Sequence, residues 1–130
     1  MESVEGKFDQ SPYSISLKRV YEPPDPGDGC RILVDRLWAR GLTKDQAAVD
    51  EWMKDIAPSP ALRQWFGHLP ERFTVFRDRY IRELEENPVC RRLAESIRER
   101  ALEGQVTLVY AAKDPVHSHA KVLYEWLVSH

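Results

Sequence analysis

The sequence is poor in cysteine and glycine, has no long apolar run, and shows no excess of either charge. Its two cysteines, Cys30 and Cys90, stand far apart with no CxxC spacing. That excludes a disulfide framework and reads as two isolated thiols. No apolar stretch approaches the roughly 18–20 residues needed to span a bilayer. Residues 1–12 are polar and mixed in charge, without the basic start and apolar stretch of a secretory signal. A cytoplasmic location with no membrane partner is the expectation. Nineteen basic residues oppose 21 acidic ones, giving a net charge of −2. Such a balance supplies no global attraction to nucleic acid or to an anionic surface, although a local basic patch is compatible with it. The P-loop, the GxGxxG fingerprint and the nucleophile elbow are all missing, as are internal repeats.

What is present fits one domain of ordinary size: 130 residues, 42% hydrophobic, with four tryptophans that predict an aromatic-rich core. Residues 1–12 show no periodicity and read as a flexible arm, with a single α/β domain over 13–130. Residues 13–21 alternate apolar and polar side chains, a strand signal. The Pro- and Gly-dense stretch 22–29 ends that strand. Residues 31–37 form a short apolar run with a charged exit, as in a strand buried on both faces.

In 43–57, Thr43 and Gln46 form a potential capping box, and Val49, Trp52, Met53 and Ile56 recur at helical spacing. Ser59-Pro60 starts a short helix that Gly67 ends. Another helix begins near Pro70, with Phe73, Phe76, Tyr80 and Leu84 as its stripe. Asn87-Pro88 stops it and caps the next, in which Val89, Leu93 and Ile97 face inward and Gly104 marks the end. Residues 106–112 are the clearest strand. Asp114-Pro115 then reads as N-cap and first residue of a last helix, with Val116, Ala120, Leu123 and Leu127 as its stripe. Strands separated by helices predict an α/β fold: a small, mainly parallel sheet of about four strands with helices packed on it.

In such a sheet, ligands bind at the carboxyl ends of the strands. The three exits carry Arg19, then Asp35, Arg36 and Arg40, then Lys113 and Asp114 before His119. Guanidinium groups bind phosphate or carboxylate bidentately, so Arg19, Arg36, Arg40 and Lys113 are the candidate anion ligands. Trp38 and Ser118 flank them. Asp35, Asp114 and His119 are the only nearby candidates for proton transfer, a role to which histidine is suited near neutral pH. Each also has a plain structural reading: Asp35 and Arg36 as rim pairs, Asp114 as a cap. His117 and His119 do not share a helical face, and no zinc spacing accompanies them, so neither metal nor cofactor is expected.

Several stretches resemble the YeaO-like family, within the wider group called domain of unknown function 488. They are Lys18-Arg19-Val20-Tyr21, Asp28-Gly29, Leu33-Val34-Asp35-Arg36-Leu37-Trp38, Arg40-Gly41, Glu51-Trp52-x-Lys54, Ala57-Pro58-Ser59, Leu62-Arg63-x-Trp65-Phe66, Phe76-x-x-x-Tyr80 and Thr107-Leu108-x-Tyr110-Ala111-x-Lys113-Asp114. The resemblance covers about residues 15–128. It departs at Ala39, where the family usually has Pro, and at Ser118, where Asn is common. Wider relatives carry Cys-His-Arg where this chain has Ser118-His119-Ala120, so thiol chemistry does not carry over. The resemblance further implies a strand near residues 50–57, against the helical spacing, and it brings no established activity.

Three functional readings follow. The first is binding, with or without turnover, of a small anionic or phosphorylated ligand such as a nucleotide at the strand exits. The second, a nucleic-acid-binding regulator, is disfavoured by the acidic balance and by the lack of helix-turn-helix spacing. The third is a protein-interaction module. A homodimer is compatible with each.

Overall fold

A computed structural model describes residues 11–129. The expected arm therefore lies almost wholly outside the described residues. Four strands form one all-parallel sheet: β1 (Ile15–Arg19), β2 (Cys30–Leu33), β3 (Glu51–Trp52) and β4 (Val106–Tyr110), in the order β1-β4-β2-β3. The helices are α1 (Lys44–Ala47), α2 (Pro60–Phe66), α3 (Phe73–Glu86), α4 (Pro88–Glu103) and α5 (His119–Ser129). The architecture is the small parallel α/β fold anticipated from the strand–helix alternation, with β2 and β4 adjacent.

The two faces of the sheet are built differently. Ile32, Val34, Val106, Leu108 and Tyr110 share a core with the helices, where Phe76, Tyr80, Leu84, Ala94, Ile97, Leu123 and Leu127 are buried. The period-two alternation of a strand turns Arg31, Leu33, Thr107 and Val109 to the other side. There Leu33 and Val109 meet a small cluster with Val20, Ala39 and Ala47. Arg31 is nearly inaccessible, at 3% exposure. Its guanidinium donates to the carbonyls of Ala47 and Ala48 at the end of α1 and to Asp28 Oδ2 at 2.7 Å. Lys18 Nζ lies 3.0 Å from the same oxygen. A buried charge persists only when paired in this way.

Local signals set most boundaries. Thr43 and Gln46 make the capping box of α1. Ser59 caps α2, and Gly67 closes it in the left-handed region at φ 54°. Asn87 caps α4 through Val89 N–H. Other expectations are corrected. Residues 51–56 split into two-residue β3, paired with Ile32 and Leu33, and a 3₁₀ turn at Lys54–Ile56, so their helical spacing is accidental. In α4 the inward positions are Cys90, Ala94, Ile97 and Ala101, whereas Val89 is exposed. Of the four tryptophans only Trp126 belongs to the core. The last helix starts at His119, four residues beyond Pro115, so Val116 is exposed outside it.

Candidate functional site

The register aligns the exits of β1, β4 and β2. Val20 N–H donates to Tyr110 O, and Val34 N–H donates to Val109 O. One residue further, Asp35 Oδ2 accepts the Ala111 N–H at 2.9 Å, tying the second exit to the third. The Asp35 carbonyl accepts the Trp52 indole N–H at 2.7 Å, which ties it to β3 as well. Asp35 thus fixes where three chain segments leave the sheet.

Above these exits lies a cleft of about 600 Å³. Its apolar part includes Phe66 and Phe76, stacked with ring centroids 4.2 Å apart. Trp38 lines it with the ring held by an indole N–H to Leu42 O bond of 2.7 Å. Four cationic side chains line the cleft: Arg36, Arg40, Arg63 and Lys113. Two carboxylates oppose them, Asp35 and Asp114. Four cations against two carboxylates give the cleft an excess of positive charge in a chain of net charge −2.

The cations differ in what they hold. Arg36 donates from Nε to Pro58 O and from Nη2 to Ala57 O, both at 3.1 Å, and Nη1 lies 3.6 Å from Asp55. Its fork is committed to the segment entering α2. Arg19, expected in the site, does not line the cleft. Its guanidinium donates to the carbonyls of Ala111 and Ala112 and lies over the Tyr21 ring, buttressing the β4 exit from outside. Arg40, Arg63 and Lys113 have no ion-pair or hydrogen-bond partner for their charged groups among the described residues. All three are exposed.

Asp114 accepts the N–H groups of Val116 and His117 through Oδ1, and its Oδ2 lies 2.8 Å from His117 Nδ1. These bonds, led by the His117 backbone and side chain, hold its carboxyl below the usual range. Asp114 closes a turn ahead of α5 rather than capping the helix. The position preceding α5 belongs to Ser118, which is buried and accepts Lys121 N–H at Oγ. The hydroxyl serves the helix end, and Pro115 falls in the turn because its fixed φ suits a turn as well as a first helical residue.

His119 leans back from the first turn of α5 to the β2 exit, as helical side chains do. Its Nε2 lies 3.0 Å from the Val34 carbonyl and 3.2 Å from Asp35 Oδ1. The N–H points at the carbonyl, and Oδ1 receives no hydrogen bond from any described residue. The ring therefore lies on the same side of α5 as Arg36, and both line the cleft. Sequence reasoning missed Arg63 and His68, which also line it. Arg63 is one of many exposed helical arginines. Only the Gly67 stop, followed by His68 at φ 58°, marks a turn that swings a side chain to the rim.

A parallel α/β domain with a cation-lined cleft at its strand exits is the class of protein defined here. The chain belongs to the YeaO-like DUF488 family: it matches the family described as the inactive DUF488-N3 subclade over residues 14–130. It is similar to the uncharacterised protein YeaO of Escherichia coli K12, 44% identical over 117 residues, covering 89% of this chain and 98% of that one. The uncharacterised protein Mb3100c of Mycobacterium bovis is 45% identical over 115 residues, covering 87% and 92%. No solved structure matches the chain.

Proposed function

We propose that the cleft binds a small anionic ligand of phosphorylated type and nucleotide-like size, and holds it without chemical turnover. The carrying observation is that Arg40, Arg63 and Lys113 surround an apolar, aromatic floor with no acidic partner among the described residues. Unpaired cations at a concave, partly apolar surface suit an anion joined to a flat or apolar body. In favour of binding without turnover, two polar groups at the exits are already engaged. Ser118 Oγ serves a helix end, and Asp35 serves the Ala111 N–H. The word inactive in the subclade's description agrees with that reading.

The test is a thermal-shift series with inorganic phosphate, nucleoside mono- and diphosphates, and the uncharged nucleosides. Binding to the folded state alone raises stability by about 2.7 kcal/mol at a hundredfold excess over Kd. The phosphorylated compounds are expected to stabilise the protein, the nucleosides much less, and the double variant R40A/K113A not at all. Equal shifts for charged and uncharged compounds would refute anion recognition.

A further inference from the structure

The imidazole of His119 has one nitrogen committed and one open. Nε2 faces two acceptors, Val34 O at 3.0 Å and Asp35 Oδ1 at 3.2 Å, so it carries a proton in either charge state of the ring. Only Nδ1 is left open to meet a ligand or exchange a proton. Among the described residues Nδ1 has no partner, and Asp35 Oδ1 is the only buried side-chain polar atom left without one. Nδ1 is therefore accessible, on a ring that lines the cleft.

The groups around the ring favour its charged form once an anion arrives. Behind Nε2 stands the Asp35 carboxylate, whose Oδ1 accepts no hydrogen bond and lies 3.2 Å from that nitrogen. From α3, the Tyr80 ring meets the imidazole edge-on with centroids 6.2 Å apart. Burial keeps that phenol neutral, and its hydroxyl donates to Ile56 O. From the β4 exit, Lys113 and Asp114 share the cleft, with the Asp114 carboxylate bonded to His117 and Lys113 unpaired among the described residues. Arg36 shares it too, with its fork turned to Ala57 and Pro58.

Resting on the anion-binding reading above, we infer that an oxyanion seated in the cleft accepts a hydrogen bond from Nδ1 of doubly protonated His119, so that binding takes up a proton. Negative and positive groups then alternate: ligand oxyanion, imidazolium, Asp35 carboxylate. Each neighbour stabilises the next in a partly desolvated place, where such contacts exceed their value in water. The ligand class is one that presents an oxyanion to the cleft interior, with its remaining charge met by the exposed Arg40, Arg63 and Lys113. Affinity falls as pH rises through the imidazole range, because the proton must be supplied on binding.

The experiment uses inorganic sulfate, whose charge is constant over roughly pH 5.5 to 8.5, where imidazoles titrate. Calorimetric titrations of the full chain, in two buffers of different ionisation enthalpy, count the protons taken up. The expected result is proton uptake near neutral pH and an affinity falling by up to about tenfold per pH unit above it. H119Q keeps an amide N–H for the Val34 carbonyl but cannot titrate. It is expected to bind sulfate with a flat pH profile. H68N, which removes the other imidazole lining the cleft, is expected to leave the profile unchanged. Should H119Q not fold, ring-nitrogen NMR of the unaltered protein serves instead, with sulfate raising the His119 titration midpoint. Sulfate binding with no proton uptake, or a profile flattened by H68N instead, would overturn the inference and leave the anion reading intact. No binding of sulfate at any pH would overturn both.

Discussion

Asp35 Oδ2 accepts the Ala111 N–H at 2.9 Å, joining the exits of two adjacent parallel strands by a side chain instead of a ladder bond. The carboxylate thereby shapes the floor of the cleft. Replacing it by alanine leaves the Ala111 N–H without its acceptor and removes the charge facing His119 Nε2. D35A is expected to lower stability by about 1–3 kcal/mol, the usual cost of an unmade partly buried bond. Urea denaturation measures it, and a change of only a few tenths would show that the exits are held elsewhere.

Arg36 and Arg40 are four residues apart and are expected to respond in opposite ways. Arg36 donates to two carbonyls in the segment before α2. R36A is therefore expected to cost about 1–3 kcal/mol of folding stability. R40A, at an exposed side chain unpaired among the described residues, is expected to stay within about 0.5 kcal/mol of the parent. In a phosphate or nucleotide titration, R40A is the variant expected to weaken binding markedly. Stability losses of equal size in both variants would place Arg40 in the framework too.

Gly29 links the 3₁₀ turn at Pro26–Asp28 to β2 with φ 63°, and a Cβ there would lie 2.1 Å from the Gln105 carbonyl oxygen. That carbonyl also accepts the Cys30 N–H at 2.9 Å, so it cannot withdraw without breaking the start of the β2–β4 pairing. G29A is expected to destabilise by at least about 1–3 kcal/mol, the range for a strained backbone position, before the clash is added. Thermal unfolding tests this, and an unchanged midpoint would contradict it.

Asp28 supplies a pH prediction. Burial pushes its carboxyl up, but hydrogen bonds from Lys18, the Asp25 N–H and Arg31 outweigh that and hold it below the ordinary value. A depressed folded-state pKa contributes stability that is present above the unfolded-state value of about 3.9. It is lost as pH falls through the lower, folded-state value. The stability gap between the parent and D28N is therefore expected to be constant near neutrality and to shrink below about pH 4. Near neutral pH, D28N is expected to cost about 3–5 kcal/mol, because Arg31 is left buried without its counter-charge. A gap that widens on acidification would reverse the assignment.

Strands β1, β2 and β4 and most helix boundaries were legible because their causes are local. The apolar runs at 31–34 and 106–110, the Thr43 box, the Ser59-Pro60 start and the Asn87-Pro88 junction each fix backbone geometry within a few residues. The start of α5 was misplaced because Asp114-Pro115 satisfies a turn and a helix start equally well on sequence grounds. The choice went to Ser118, whose backbone carbonyl accepts Val122 N–H and whose hydroxyl accepts Lys121 N–H.

The sequence by itself determined a parallel α/β domain and the strand exits as the place to look, since period and punctuation carry that information along the chain. Only the tertiary structure decided which cations remain uncommitted there. Arg19, Arg36 and Arg40 are alike as residues, yet backbone carbonyls from other segments claim the first two and leave the third. Arg63 joins the cleft from α2. Which carbonyl meets which guanidinium depends on contacts between segments up to 93 residues apart, and no local pattern encodes that.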